Sequence, residues 1–332
     1  MSILAGPSTS TYQSSDKVTF CPGPGAVLDE WFSHQVPMFG RGDAYFLTLK
    51  TELEEWLRSF VGSSKNVVTL AGSGTTAACI ALRNFCIGKV AVLDTGYYGG
   101  RWYAEAKLFT DTMVEKVAMD DLDRLRDFDT VIFVYVETAS ATKYDLEAVS
   151  RACRQHDIRL LVDATASIGL EKHHHLADVV FFSSCKGLMG PTGAGFICYE
   201  KTITPTAQND FLYNLSSHED VKYTIPYNVM NALVGVSRQH DIYVGRMKAA
   251  ASLIRKHAVG TRALAEGSAV IGVGLRGVKL DNELDTTGTS IYYLPRKDPG
   301  YSLLFFLGLV RYDSNCIEKC LIERVFCNEH ER

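Results

Sequence analysis

The chain of 332 residues has no apolar run long enough to cross a membrane and no excess of charge of either sign. Its longest late apolar stretch, Leu303–Val310, is far shorter than the roughly 20 residues that span a bilayer. The 34 basic and 38 acidic residues give a net charge of −4 and form no long block of one sign. We therefore expect neither a membrane partner nor a nucleic-acid partner, since phosphate backbones are bound by basic surfaces.

Paired cysteines are also missing. The nine cysteines are odd in number and scattered, and none forms a Cys-x-x-Cys pair, which is typical of free thiols in a reducing compartment. Residues 1–17 lack the basic cluster and apolar core of a secretory signal. We expect a cytoplasmic protein, and the length favours two domains over one.

No metal site is predicted. His173, His174 and His175 are consecutive, so their side chains cannot converge on one ion from a strand or a helix. We expect them in a solvated loop. Cys316 and Cys320 are four residues apart, but no fourth ligand completes a tetrahedral site with them and a third cysteine.

The middle of the chain alternates short β-branched runs with longer helical patterns, which is typical of parallel strands joined by helices. The predicted strands are Val67–Leu70, Val90–Asp94, Met113–Val117, Thr130–Val136, Arg159–Asp163, Val179–Ser183 and Gly195–Tyr199. The predicted helices are Thr75–Phe85, Arg101–Phe109, Leu146–Gln155 and a long pattern over Tyr227–Ala258. Further strand-like runs are Val270–Val273, Gly277–Leu280 and Thr289–Leu294. The pattern predicts an α/β domain followed by a smaller α+β domain.

Three elements of the α/β block carry chemistry. Gly72-Ser73-Gly74-Thr75-Thr76 stands between a strand and a helix, where backbone amides and the helix dipole favour a phosphate. Asp163 ends a strand, and ligands of open parallel sheets bind at the carboxyl ends of strands. Lys186 follows another buried apolar strand. Each element alone has an ordinary explanation as a turn, a helix cap or a structural lysine.

Together the three elements fit one cofactor. Pyridoxal 5′-phosphate (PLP) needs an anion cradle for its phosphate, a carboxylate at its pyridinium nitrogen and a lysine that forms a Schiff base. Ser73, Gly74 and Thr75 supply the first, Asp163 the second and Lys186 the third. The sequence therefore predicts a PLP enzyme.

At these positions the chain resembles the class V aminotransferase family, which has the PLP fold type I and includes alanine–glyoxylate and 2-aminoethylphosphonate aminotransferases. Pro22-Gly23-Pro24-Gly25 is similar to an early family segment, and Gly72–Thr75 to the phosphate loop. Leu161–Ala164 and Ser183–Gly187 are similar to the segments of the pyridine-binding aspartate and the Schiff-base lysine. The resemblance implies a mostly parallel seven-stranded sheet with helices on both faces.

The resemblance also assigns residues around the cofactor. Gly96–Arg101 is similar to a Gly-x-aromatic-Gly-x-Arg segment, which implies that Tyr98 stacks on the cofactor ring. Glu137–Ser140 is similar to a segment whose hydroxyl lies near the ring, here Thr138, although Ala141 stands where the family has glycine. Thr165, in the segment that carries Asp163, is expected to bind the cofactor as well.

Another similar segment, Tyr223–Pro226, implies that Thr224 reaches the cofactor phosphate of a neighbouring subunit, and hence a homodimer with shared active sites. The family's C-terminal Arg-Ile-Gly segment, whose arginine binds the substrate carboxylate, is not found. Arg311 or Arg296 could take that role, and Arg41 is a second candidate near the substrate.

The resemblance implies three domain segments: residues 1–40 joining the small domain, a large PLP-binding domain over 41–235, and a small C-terminal domain over 236–332. It implies an aminotransferase that moves an amino group from a small amino acid or aminophosphonate to pyruvate or glyoxylate through a Schiff base on Lys186. Two alternatives stay open. The same scaffold supports PLP-dependent lyases and desulfurases, and the unusual C-terminal region allows a non-catalytic homologue.

Overall fold

The computed structural model describes residues 42–109, 113–206, 208–219, 224–257, 272–276, 301–305 and 318. Its helices are α1 (Ala44–Val61), α2 (Gly74–Phe85), α3 (Tyr97–Phe109), α4 (Leu146–Gln155), α5 (Leu215–Glu219), α6 (Tyr227–Ser237) and α7 (His240–His257). Its strands are β1 (Lys65–Gly72), β2 (Val90–Leu93), β3 (Val114–Val117), β4 (Thr130–Val134), β5 (Val136–Glu137), β6 (Thr142–Lys143), β7 (Arg159–Asp163), β8 (Val179–Ser183), β9 (Gly193–Glu200), β10 (Gly272–Arg276) and β11 (Tyr301–Phe305). The fold class predicted from the sequence is confirmed.

Seven strands form one sheet in the order β1-β9-β8-β7-β4-β2-β3. The four pairs from β8 to β3 are parallel, whereas β9 runs antiparallel to both β8 and β1. The sheet is thus mostly parallel, as expected, and β9 is its antiparallel strand. Because β9 reverses, β1 again runs in the direction of β8, and the carboxyl ends of both strands lie at one edge of the sheet.

Helices cover both faces of the sheet because its strands are apolar on both sides. Along β4, the side chains of Val131 and Phe133 join one buried cluster with residues of α1, α4 and α6. The alternate side chains, Ile132 and Val134, join a second cluster with residues of α2 and α3. Each such side chain stabilises the fold by about 1.5–3 kcal/mol when fully buried. The sheet is thus a rigid layer from which the strand ends project.

The long helical pattern over Tyr227–Ala258 is in fact two helices, α6 and α7, with a break at Arg238 and Gln239. At the start of α7 the buried ring of His240 packs against Trp56 and Phe60 of α1. Its Nε2 atom lies 3.2 Å from the carbonyl oxygen of Gly187. These tertiary contacts fix the break, which no proline or glycine marks in the sequence.

Later in the chain, the strand expected over Val270–Val273 is observed as β10, shifted to Gly272–Arg276, and it pairs antiparallel with β11. The runs predicted over Gly277–Leu280 and Thr289–Leu294 lie outside the described residues. In the described ranges, none of the helices combines the length and the apolar character that a membrane span requires. The proposed boundaries at residues 40 and 235 stay predictions.

The sequence led us to expect all three consecutive histidines in a solvated loop. The structure differs at one of them. His174 is fully buried in a short helical turn over His174–Leu176. Its Nε2 atom lies 2.9 Å from Ser167 Oγ, and its ring packs edge-on against Tyr135. The expectation is wrong for this residue because one ring of the three turns inward to fill the core. Among the described residues, no group of three potential ligands is arranged to hold a metal ion.

Candidate active site

A cavity of about 210 Å³ opens at the edge of the sheet where β1, β4, β7 and β8 end. Its walls include eight of the residues proposed from the sequence to bind a cofactor, which are Ser73, Gly74, Thr75, Tyr98, Thr138, Asp163, Thr165 and Lys186. These residues come from five separate segments of the chain. The structure therefore brings the predicted constellation together.

The loop after β1 forms an anion cradle. Ser73 caps α2: its Oγ accepts a hydrogen bond from Thr76 N at 3.3 Å, and its own N–H donates to Thr76 Oγ1 at 3.1 Å. The first turn of a helix has amides without intrahelical acceptors. These two reciprocal hydrogen bonds form a capping box, in which the amide of Thr76 is satisfied. The amides of Gly74 and Thr75 are therefore placed to bind an anion, and the helix dipole favours such binding.

The cradle is closed on its far side by the side chains of Thr165 and Ser183, which pack close to Gly74. A Cβ atom at Gly74 would lie 3.1 Å from Thr165 Oγ1 and 3.2 Å from Ser183 Cβ. Gly72, at a φ of 141°, turns the chain into the helix in a conformation that favours glycine. Small residues at these positions therefore leave the space in which a phosphate would sit.

Asp163 ends β7 at the floor of the cavity and is only 5% exposed. Its Oδ1 atom accepts a hydrogen bond from Thr165 N at 2.9 Å. Its Oδ2 atom accepts one from the indole Nε1 of Trp102 at 2.8 Å. Each oxygen keeps a further lone pair, so the carboxylate can still accept a hydrogen bond from a ligand.

Lys186 leaves β8 through a tight turn in which Gly190 N donates to Ser184 O at 2.9 Å and Met189 N to Lys186 O at 2.8 Å. The next residue, Gly187, packs so closely on the carbonyl of Ile168 that a Cβ atom there would collide with it. This packing fixes the lysine at the rim of the cavity. Its Nζ atom lies 5.2 Å from the centre of the Tyr98 ring.

Tyr98 is positioned by a buried carboxylate. Glu137 Oε2 accepts a hydrogen bond from Tyr98 N at 2.8 Å, and its Oε1 accepts one from Ala139 N at 2.9 Å. Burial raises the pKa of the Glu137 carboxyl, although these amides and that of Gly99 lower it. Because the carboxylate binds the first amides of α3, it ties that helix to the end of β5.

Ala141 follows the Glu137–Ser140 segment, where the family places glycine. The residue has a φ of 55°, in the left-handed region. The loop thus takes the conformation that glycine would favour, and Thr138 still reaches the cavity wall.

Several residues of the cavity wall have no role predicted from the sequence, among them Arg101, Trp102 and Thr192. Arg101 and Trp102 follow Tyr98 by three and four positions on α3, the spacing that places side chains on one face of a helix. This helical spacing from Tyr98 is the sequence feature from which a place for Arg101 and Trp102 at the cavity could have been predicted. With Lys186 and Arg101 against Asp163, the charged residues of the wall carry a net positive charge that suits an anionic ligand.

Thr224 does not contribute to this cavity of its own chain; it is exposed, just before α6. Its predicted contact with a neighbouring subunit stays a prediction. The candidate substrate arginines Arg41, Arg311 and Arg296 lie outside the described residues.

The residues of the cavity fit PLP. The cradle at Gly74 has the shape and the amides for a phosphate, and the positive wall favours its charge. Asp163 offers an acceptor on the cavity floor, and Lys186 offers an amine beside an aromatic face. A phosphate site, a carboxylate and an amine around one cavity are the groups that PLP requires.

Residues 109–214 match the family model described as Aminotransferase class-V. The chain is 30% identical over 195 residues to a 2-aminoethylphosphonate–pyruvate transaminase of Pseudomonas aeruginosa, covering 52% of each protein. The chain thus spans about half the length of the curated relatives it matches.

Solved structures resemble the fold over most of the chain. An aspartate aminotransferase of Thermus thermophilus superposes with a TM-score of 0.78 at 17% identity, over 92% of this chain and 99% of that one. An alanine–glyoxylate aminotransferase of a Nostoc species superposes with a TM-score of 0.76 at 19% identity, over 92% and 95%. At these identities the likeness establishes the fold, and it confirms the PLP fold type I expected from the motifs.

Proposed function

We propose that this chain, whose residues 109–214 match the class V aminotransferase model, is a PLP-dependent aminotransferase. The observation that carries the proposal is the arrangement in one cavity of Lys186, the Tyr98 ring, the Asp163 carboxylate and the amide cradle of α2. These groups come from different strand ends, and each has the chemistry that one part of the cofactor needs. A merely structural explanation would have to account for each of them separately.

The proposed roles follow from position. Ser73, Gly74 and Thr75 would hold the phosphate, and Tyr98 would cover one face of the ring. Asp163 would accept a hydrogen bond from the protonated ring nitrogen. Thr138 and Thr165 line the wall beside it and would bind polar groups of the cofactor.

When bound, PLP supplies an aldehyde that bonds to amines and a ring that accepts electrons. Lys186 is the proposed Schiff-base lysine, since its Nζ is the amine at the rim of the cavity. The same Nζ, at the rim of the cavity, would also act as the base that takes a proton from the substrate's α-carbon. The carboxylate of Asp163 would face the ring nitrogen and favour its protonated form.

For the substrates, we propose an amino donor that is a small amino acid or an aminophosphonate and an acceptor that is pyruvate or glyoxylate. The Pseudomonas aeruginosa relative, which this chain matches over about half of its length, is named for 2-aminoethylphosphonate and pyruvate. The positively charged wall provided by Arg101 and Lys186 supports an anionic substrate of this kind. Arg41 and Arg311 stay candidates for binding its acidic group.

We further propose a cytoplasmic homodimer in which Thr224 of one subunit completes the phosphate site of the other. The exposure of Thr224, outside its own cavity, supports this exchange. The five cysteines in the described part of the chain are free thiols, which supports a reducing compartment.

The test begins with cofactor capture. The chain is reconstituted with PLP, reduced with borohydride and digested, and the pyridoxyl group is located by mass spectrometry. We expect it on Lys186, and we expect Lys186→Ala to lose it while the matched Lys172→Ala variant, at an exposed position, keeps it. A reducible adduct at the wild-type level in Lys186→Ala would overturn the assignment.

The second stage identifies the reaction. Alanine is offered with glyoxylate, serine and 2-aminoethylphosphonate are each offered with pyruvate or glyoxylate, and the new amino acid is measured. Turnover with any pair supports the aminotransferase. Sulfide release from cysteine would favour a desulfurase instead, and an adduct on Lys186 without turnover on any substrate would leave a cofactor-binding homologue.

A further inference from the structure

The carboxylate of Asp163 is held by an indole from another element of the fold. Trp102 Nε1 donates to Asp163 Oδ2 at 2.8 Å, a distance typical of a hydrogen bond to a charged acceptor. The other oxygen, Oδ1, accepts from the backbone N–H of Thr165. One donor on each oxygen fixes the plane of the carboxylate, whose terminal torsion is otherwise broad.

Trp102 has no freedom to turn away. It is 2% exposed, and its ring meets Phe181 edge-on at 5.9 Å between centroids. Phe181 lies opposite Asp163 in the register of β7 and β8, so the ring is packed against the neighbour of the residue that it binds. The indole N–H therefore points at the carboxylate because packing holds it there.

The same side chain stands one helical turn after Tyr98. The two rings lie 6.4 Å apart between centroids on α3. Helix α3 thus presents one residue to the face of the proposed cofactor ring and a second to the carboxylate at its edge. A shift of α3 would move both together.

We propose that Trp102 is a positioning residue that orients the Asp163 carboxylate toward the ring nitrogen of the cofactor. The inference rests on the proposed function and deepens it. Without the indole, only the Thr165 amide would orient the carboxylate, and the carboxylate would rotate away from the ring plane in part of the population. The loss of orientation should therefore weaken the binding of any cofactor whose ring nitrogen donates a hydrogen bond to Asp163.

The test measures cofactor binding rather than turnover. Trp102→Phe removes the N–H and keeps an aromatic ring. We expect it to raise the dissociation constant of PLP by about tenfold, which is the effect of losing one hydrogen bond to a charged group. A deaza analogue of PLP, with carbon in place of the ring nitrogen, should bind wild type and variant equally within about twofold, because it makes no hydrogen bond to Asp163. Equal weakening of both ligands would overturn the inference, since that is the result of a purely structural role.

A double-mutant cycle locates the effect. If Trp102 acts through Asp163, Trp102→Phe should add no further loss of PLP affinity in an Asp163→Ala background. If the double variant lost PLP affinity by the product of the two single losses, the proposal would be overturned. Trp56→Phe, a matched change where the indole packs on Phe60 and His240 away from the cavity, should leave both dissociation constants unchanged.

A second variant guards against misfolding. Benzothienylalanine at position 102 replaces the N–H by sulfur in a ring of nearly the same shape, and it should reproduce the selective loss of PLP affinity. A wild-type chain that takes up neither ligand would overturn the proposed function together with this inference. A wild-type chain that forms the Lys186 adduct, beside variants that bind both ligands as wild type does, would overturn this inference alone.

Discussion

The Nζ atom of Lys186 lies 5.2 Å from the centre of the Tyr98 ring, so the amine and the aromatic face border the same space. The two residues come from different elements: Lys186 follows β8, and Tyr98 lies in the first turn of α3. A planar ligand bonded to the amine would therefore have the Tyr98 ring on one face. This relationship makes the contribution of the ring measurable.

We expect Tyr98→Phe to keep PLP affinity and Tyr98→Leu to weaken it by roughly twofold to tenfold. The reason is that ring stacking contributes about 0.5–1.5 kcal/mol beyond buried area. Fluorescence titration of the apoprotein with PLP measures the change. Tyr103→Leu is the matched control, because Tyr103 lies on the same helix and outside the cavity wall. Equal losses at both positions would argue against a stacking role for Tyr98.

Much of this arrangement could be predicted from the sequence, because local signals carry it. Each of the seven strands of the sheet overlaps a run predicted as a strand, and helix α4 has the bounds that its 3- and 4-residue apolar spacing predicts. The residues of the cavity wall follow because strand ends of a parallel sheet meet at one edge.

The rest depends on tertiary contacts that no local pattern encodes. The direction of β9 is set by its pairing with β1 and β8, and the break at Arg238 by the packing of His240 on α1. Trp102 and Asp163 are 61 positions apart, so their hydrogen bond could not be read from either segment. His174 was misplaced because neighbouring identical residues give no sign of which one turns inward.

Gly74→Ala tests the closed side of the phosphate cradle. The new Cβ would lie 3.1 Å from Thr165 Oγ1 and 3.2 Å from Ser183 Cβ. Overpacking of this kind costs about 1–3 kcal/mol of folding free energy, and we expect PLP affinity to fall with it. Urea unfolding and PLP titration measure the two effects.

The matched control for that change is Gly245→Ala in α7, where nothing lies within 4 Å of the new Cβ. Removing glycine from a helix interior should there raise the free energy of unfolding by about 0.5–1 kcal/mol. If Gly74→Ala stabilised the protein as Gly245→Ala does, the cradle would be looser than the structure indicates.

Asp157 offers a stabilising substitution. It follows the C-cap of α4 with a φ of 55°, and Ile158 N donates to Cys153 O at 3.0 Å, which is the bond of a Schellman motif. Asp157→Gly should raise the free energy of unfolding by about 0.5–1 kcal/mol, because it relieves the left-handed strain and removes a negative charge from a helix C-terminus. Asp157→Ala keeps a Cβ in the same conformation and should show less gain. Urea midpoints that rank alanine above glycine would contradict the assignment.

His174 predicts a loss of stability in acid. Burial lowers the pKa of its imidazole from 6.5 to about 3, so the folded protein holds it neutral. The unfolded chain binds a proton below about pH 6.5, and the free energy of unfolding must then fall as the pH decreases from there toward 3. The slope from this one group approaches about 1.4 kcal/mol per pH unit.

His174→Gln loses this slope, although it is less stable at neutral pH because the contact with Ser167 changes. Urea unfolding between pH 7 and 4.5 measures the difference, with the exposed His156→Gln as a control that keeps the wild-type slope. Parallel profiles for wild type and His174→Gln would mean that the imidazole is protonated in the folded state.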